Sequence, residues 1–186
     1  MSRLVYSTIG SLDGYLSDPS GGFDWAMPDE EVMEFVNGQM RRHSTYLYGR
    51  RLYETMHVWE TDADSIAQSP LDVEFASIWQ AARKVVFSTT LTDVVTTRTT
   101  IERTLDADVV ARLKDESDGD LEIGGPTLAT DAFALGLVDE VHVIVVPVVV
   151  GGGAPLYPQG TRLDLRLVDQ RTFGNGMVHL RYDVRR

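Results

Sequence analysis

Small residues and side-chain donors gather in three short segments of this 186-residue chain: Gly49-Arg50-Arg51, Ser88-Thr89-Thr90 and Gly124-Gly125-Pro126-Thr127-Leu128. Each directly follows an apolar, strand-like stretch, at residues 45–48, 84–87 and 120–123. In open α/β sheets ligands bind beyond the carboxyl ends of the strands, where free backbone N–H groups and guanidinium groups attract anions. Three such turns side by side could cradle the phosphates of a dinucleotide. Singly, each has a plainer explanation: a surface turn with solvated arginines, a hydroxyl cap, and a packing turn before a helix. Their coincidence in the right strand order favours the ligand. The fingerprint Gly-x-Gly-x-x-Gly follows none of these strands, and Gly151-Gly152-Gly153 lies between strands, so a nicotinamide cofactor would bind by another scheme.

These turns need strands and helices to place them. Residues 4–9 read as a strand, followed by a long loop through Asp13-Gly14 and Asp18-Pro19-Ser20-Gly21-Gly22. From Pro28 the spacing turns helical, with Val32, Phe35, Val36 and Met40 on one side as far as about His43. A second helix is expected over residues 71–82, with Val73, Ala76 and Trp79 as its buried line, and a third runs through Leu128 and Phe133 to stop at Gly136. The run 141–150 is nearly all apolar, as in a strand covered on both faces, with a bend at Pro147. Gly174-Asn175-Gly176 then joins two alternating segments as a hairpin. Strands alternating with helices and closing on consecutive strands predict one α/β domain over residues 1–186: three layers, with a mixed, mostly parallel sheet and an antiparallel C-terminal edge.

Composition narrows the function. The formal net charge of −11 repels nucleic acid and anionic membranes, so an anionic ligand must be held by a local cluster of donors, of which Arg50-Arg51 is the best. The absence of cysteine removes disulfides, thiolate metal sites and thiol nucleophiles, and the four histidines form no ligand motif, so no metal is expected. No stretch approaches the roughly 20 apolar residues of a membrane span, and the first ten residues lack a secretory apolar core, which makes a cytoplasmic protein the expectation.

A family resemblance adds to this. Ser11-Leu12-Asp13-Gly14-Tyr15, Phe23-Asp24-Trp25, Gly49-Arg50-Arg51-Leu52-Tyr53-Glu54, Val86-Phe87-Ser88, Gly124-Gly125-Pro126, Gly136-Leu137-Val138-Asp139-Glu140 and Pro147-Val148-Val149-Val150-Gly151 resemble, in order, the reductase domain of bifunctional riboflavin-biosynthesis deaminase-reductases. The zinc-deaminase signature of that family is missing. The resemblance implies a dihydrofolate-reductase-like fold and NADPH as cofactor, with Gly49, Arg50 and Arg51 near its phosphates. It also implies Ser88, Thr89 and Thr90 near the adenosine ribose phosphate and Gly124 to Leu128 around the pyrophosphate. Thr89 stands where such proteins commonly carry an arginine suited to the 2′-phosphate, which leaves NADH open unless Arg51 or Arg98 supplies the charge.

Hydride transfer to a C=N bond also needs a proton, and three acids are candidates. Trp25-Ala26-Met27-Pro28-Asp29-Glu30 resembles the Trp-x-x-Pro-x-acid segment of dihydrofolate reductases, which implies Glu30; a helix-dipole role is the alternative. Glu31 lies four residues before Phe35, beside the apolar stripe, and only one of the two should face a pocket. Asp13 matches the riboflavin-reductase pattern and could hold substrate or relay a proton, or be a turn aspartate before glycine. Trp25, Tyr53 and Tyr157 could line a flat heteroaromatic pocket, or simply pack. The reading is an NAD(P)H-dependent reductase of a small heterocycle, most like the 5-amino-6-(5-phosphoribosylamino)uracil reductase. A dihydrofolate- or pterin-type reductase and a non-catalytic nucleotide-binding homodimer are the alternatives. A homodimer through the C-terminal sheet edge is expected.

Overall fold

A computed structural model describes residues 2–185. Eight strands form one sheet in the order β4-β3-β2-β5-β1-β6-β8-β7. The strands are β1 (Leu4–Ser11), β2 (His43–Gly49), β3 (Arg83–Phe87), β4 (Thr99–Glu102), β5 (Asp120–Gly124), β6 (Glu140–Val146), β7 (Leu165–Thr172) and β8 (Val178–Val184). The first six run parallel, and β8 and β7 close the sheet antiparallel. The apolar run stops at Val146 because Pro147 turns the chain, Val148 N–H donating to the Val146 carbonyl. Gly176, at φ +87°, makes the tight return between β7 and β8.

Helices cover both faces: α1 (Glu30–Met40), α2 (Arg50–Met56), α3 (Val58–Thr61), α4 (Ala63–Ile66), α5 (Pro70–Ala81), α6 (Ala107–Glu116) and α7 (Pro126–Ala134). Because side chains alternate along a strand, Leu4, Tyr6, Leu47, Leu121, Ile123 and Val141 meet α6 and α7 on one face. Tyr46, Tyr48 and Val86 pack beneath α2 and α5 on the other, and Ile144 and Val146 pack beneath α1. These are the three layers of the dihydrofolate-reductase-like fold.

Two details differ from the sequence reading. Val73 is exposed; Phe75, Ala76 and Trp79 make the buried line of α5, which starts one residue earlier, at Pro70, capped by Ser69. Two elements lie outside the sequence reading: β4, a four-residue edge strand, half-exposed, and α6, although its Val110 and Leu113 do stand at helical spacing.

Candidate active site

Strands β3, β2 and β5 are adjacent and parallel, so their carboxyl-end turns lie on one edge, with Gly49 level with Phe87 and Tyr48 level with Gly124. The turns touch. Arg50 Nη1 donates to Thr90 Oγ1 at 3.2 Å while its Nε pairs with Glu54 at 2.6 Å, bridging the turns after β2 and β3. A Cβ added to Gly124 would stand 2.6 Å from Leu52 Cδ2 and would have to push that side chain aside, so the end of β5 packs closely on α2, whereas one added to Gly49 would meet Leu128 Cβ at an ordinary 3.9 Å. Ser88 Oγ accepts the amides of Thr90 and Leu91, at 3.3 and 3.0 Å, and so shapes its own turn.

Electrostatics at this edge favour anions. Helices α1, α5 and α6 are capped by Asp29, Ser69 and Asp106, whereas α7 starts from Gly125, at φ +90°, with no side-chain cap. The amides of Thr127 and Leu128 therefore keep the partial positive charge of a helix start. Arg51, exposed in the first turn of α2, forms no ion pair among the described residues.

Arg98 does not belong to this edge. Its carbonyl accepts the amide of Lys84 at the amino end of β3, and its side chain lines a groove with Arg41 and Arg83 at the opposite end of the sheet. The cation beside the Ser88 turn is Arg103, which follows β4 and donates through Nη1 to the carbonyls of Ser88 and Leu91 at 2.8 and 2.7 Å. Sequence reasoning missed Arg103 because it missed β4.

The three candidate acids have different surroundings. Asp13 reaches the same edge, but Oδ1 and Oδ2 accept the amides of Val150 and Gly151, at 3.1 and 2.8 Å, so the carboxylate ties the loop after β1 to the loop after β6. Hydrogen bonding to Ser11 and to these amides holds its pKa below the usual range. Glu31 accepts the amide of Gly174 at 2.9 Å and pairs with Arg171 at 3.0 Å, pinning α1 to the β7–β8 hairpin, and the same contacts lower its pKa. Glu30 is exposed in the first turn of α1.

The three aromatics pack into three different apolar clusters. Tyr53 is buried, its hydroxyl 3.0 Å from Thr96 Oγ1 and accepting the Val95 amide at 2.9 Å. Trp25 packs beside α1, its Nε1 without a partner among the described residues, and Tyr157 packs against the cluster on the other face of the sheet.

A chamber of about 280 Å³ opens instead between α1 and the sheet, lined by Ser7, Gln39, Tyr48, Glu122, His142 and His179 among others. Tyr48 and Glu122 lie one and two residues before Gly49 and Gly124, so the chamber adjoins the strand-end turns. His142 Nε2 is 2.7 Å from Glu140 Oε2, and that hydrogen bond, with Arg3 and Arg181 nearby, keeps the Glu140 pKa low. His43 Nδ1 lies 2.7 Å from Glu122 Oε2, an ion-pair contact without hydrogen-bond alignment, and although burial opposes it the pair raises the His43 pKa. His179 is buried with neither ring nitrogen partnered among the described residues, an arrangement that costs about 1–3 kcal/mol per unmet group. Its pKa is pushed down to about 4, by burial first and then by His142. A signal for these residues existed: Glu140 and His142 stand two apart in a buried strand, hence on one face.

Comparison with known proteins agrees with the fold. A profile of the RibD C-terminal domain family matches residues 3–179. The uncharacterized protein YyaP of Bacillus subtilis (strain 168) is 29% identical over 184 residues, 97% of this chain and 94% of that one. A putative riboflavin biosynthesis protein from Shewanella sp. PV-4 superposes with a TM-score of 0.77 at 22% identity, with both chains fully covered. A diaminohydroxyphosphoribosylaminopyrimidine deaminase/5-amino-6-(5-phosphoribosylamino)uracil reductase from Thermotoga maritima gives 0.65 at 14% identity; 98% of this chain matches 56% of that one.

Proposed function

Because this chain belongs to the RibD C-terminal domain family, we propose that it is an NAD(P)H-dependent reductase of a small heterocyclic substrate. The observation that carries the reading is the meeting of three strand-end turns on one edge, with Arg50 reaching from one to the next. Gly124 and Gly125 bring backbone amides close to a ligand that side chains would exclude, and Arg50, Arg51 and the start of α7 neutralise its phosphates. Arg103 puts a guanidinium beside the Ser88 turn, where Thr89 offers no charge, and supports NADPH over NADH.

The cofactor, when bound at this edge, would supply the hydride for the carbon of a C=N bond, and the nitrogen of that bond would need a proton. The chain's task is to hold the acceptor flat beneath α1 and to provide that proton. The oxygens of Asp13 are engaged by backbone amides, and those of Glu31 by the Gly174 amide and the Arg171 guanidinium. His142, oriented by Glu140 and lining the chamber, is the better placed group to hold and pass on a proton.

The substrate most in keeping with the family is the ribosylaminopyrimidine of riboflavin synthesis, with dihydrofolate as the comparator. Steady-state oxidation of NADPH with each substrate tests the reading. Turnover with either supports it, and none with both substrates or with other C=N heterocycles defeats it. The engaged carboxylates of Asp13 and Glu31 favour one second reading, a nucleotide-binding protein without turnover, which would bind NADPH and oxidise none.

A further inference from the structure

Resting on the reductase reading for its setting, the chamber beneath α1 allows the substrate class to be narrowed. Its polar groups are carboxylate, imidazole, hydroxyl and amide: Glu122, His142 and His179, Ser7 and Tyr48, and Gln39. No lysine or arginine lines it. Arg181, level with His142 on β8, is engaged beside Glu140, and Arg171 is held by Glu31 over Phe35 and Phe173. A phosphate entering this space would meet Glu122 without a compensating cation.

His179 is the informative residue. It is 3% exposed, it is level with Ile144 on β6, and it lines the chamber. Ser7, level with His142, stands on the strand beyond. The rings of His142 and His179 meet edge to face with centroids 5.6 Å apart, and Phe35 closes on His179 from α1 at 4.7 Å. A buried neutral imidazole presents one N–H donor and one acceptor nitrogen, and both are unmet by the protein. Buried polar groups in folded proteins are satisfied as a rule, so this ring is placed to meet a ligand. A volume of about 280 Å³ is at the lower end of small-molecule pockets and suits one or two fused rings rather than a nucleotide.

We propose that the chamber binds an uncharged, planar nitrogen heterocycle whose donor–acceptor edge pairs with His179, and that a phosphate on the substrate contributes nothing to its recognition here. The test is an NMR titration of the whole protein with uracil, 6-methyl-7,8-dihydropterin, uridine and uridine 5′-monophosphate, read at the imidazole resonances of His142 and His179. At least one uncharged ring is expected to shift both imidazoles to saturation, and uridine 5′-monophosphate to bind no tighter than uridine. His179→Leu should weaken the ring's binding about tenfold or more, the loss expected when a paired group becomes unpaired. His179→Asn, which keeps a donor and an acceptor, should restore most of it and guards against a folding defect in the leucine variant. Saturable binding unchanged in His179→Leu, tighter binding of the monophosphate, or no response to any of the four overturns the proposal. NADPH titrated separately distinguishes the two claims: cofactor binding without ring binding defeats this one alone, and ring binding without cofactor binding defeats the reductase reading alone.

Discussion

At the residue scale, the assignment turns on which charged groups remain free to act. Arg103 holds two carbonyls of the Ser88 turn through a single nitrogen, and no other partner of its guanidinium occurs among the described residues. Arg103→Ala should therefore weaken NADPH binding about tenfold, the worth of one charge-assisted hydrogen bond, and leave NADH nearly unchanged; equal losses for the two cofactors would remove Arg103 from the 2′-phosphate. His179 gives a pH signature. With its folded pKa at about 4 and an ordinary value of 6.5, the unfolded chain takes up a proton between those values that the folded chain refuses, so acidification through this window costs stability. His43 acts in the opposite sense, its raised pKa adding stability that is fully present below its unfolded value and is lost as the pH rises through the folded one. The difference in Tm between wild type and His179→Leu isolates the first effect, and the variant's Tm should fall less steeply from pH 6.5 to 4. A parallel fall would show that His179 protonates freely. Asp13 and the glutamates were visible in the sequence as acids near the right strands. Their hydrogen-bond partners, Val150, Gly151 and Gly174, come from loops more than a hundred residues away, beyond the reach of local spacing.

At the element scale, the strongest local signals were strands that end in glycine and pass directly into helices. The stretches leading to Gly49 and Gly124 were legible because apolar runs there stop at residues that only a turn requires, and the hairpin at Gly174-Asn175-Gly176 was legible for the same reason. Strand β4 was not, since an edge strand of four half-exposed residues has neither an apolar run nor an alternation. Gly124→Ala is expected to force Leu52 aside and part the turn from α2. The variant should lose about 1–3 kcal/mol of stability, as overpacked sites do, and cofactor affinity with it; a wild-type denaturation midpoint would show that α2 yields freely. The edge strand β7 exposes Leu167 and Val168, and we propose that it pairs with a second copy in a homodimer. Light scattering on the purified protein should give twice the chain mass, and Leu167→Glu with Val168→Glu should give the monomer. A monomeric wild type would refute the pairing.

At the scale of the whole molecule, a chain with formal net charge −11 is proposed to hold a polyanion, which it can do only where backbone amides and a few arginines are gathered on one edge. No helix among the described residues is long and apolar enough to cross a membrane, and no group of acidic and histidine side chains is arranged to hold a metal. Strand order brought the turns together, and strand order was only partly legible: the parallel α/β alternation implied a shared edge, but the neighbours β3-β2-β5 are fixed by long-range pairing. The most direct test is calorimetric titration of NADPH into the wild type and into an Arg50→Ala, Arg51→Ala double variant. Saturable binding by the wild type, weakened at least about tenfold in the variant, is the predicted result; no binding at millimolar NADPH, or equal affinity in the two proteins, would contradict the account.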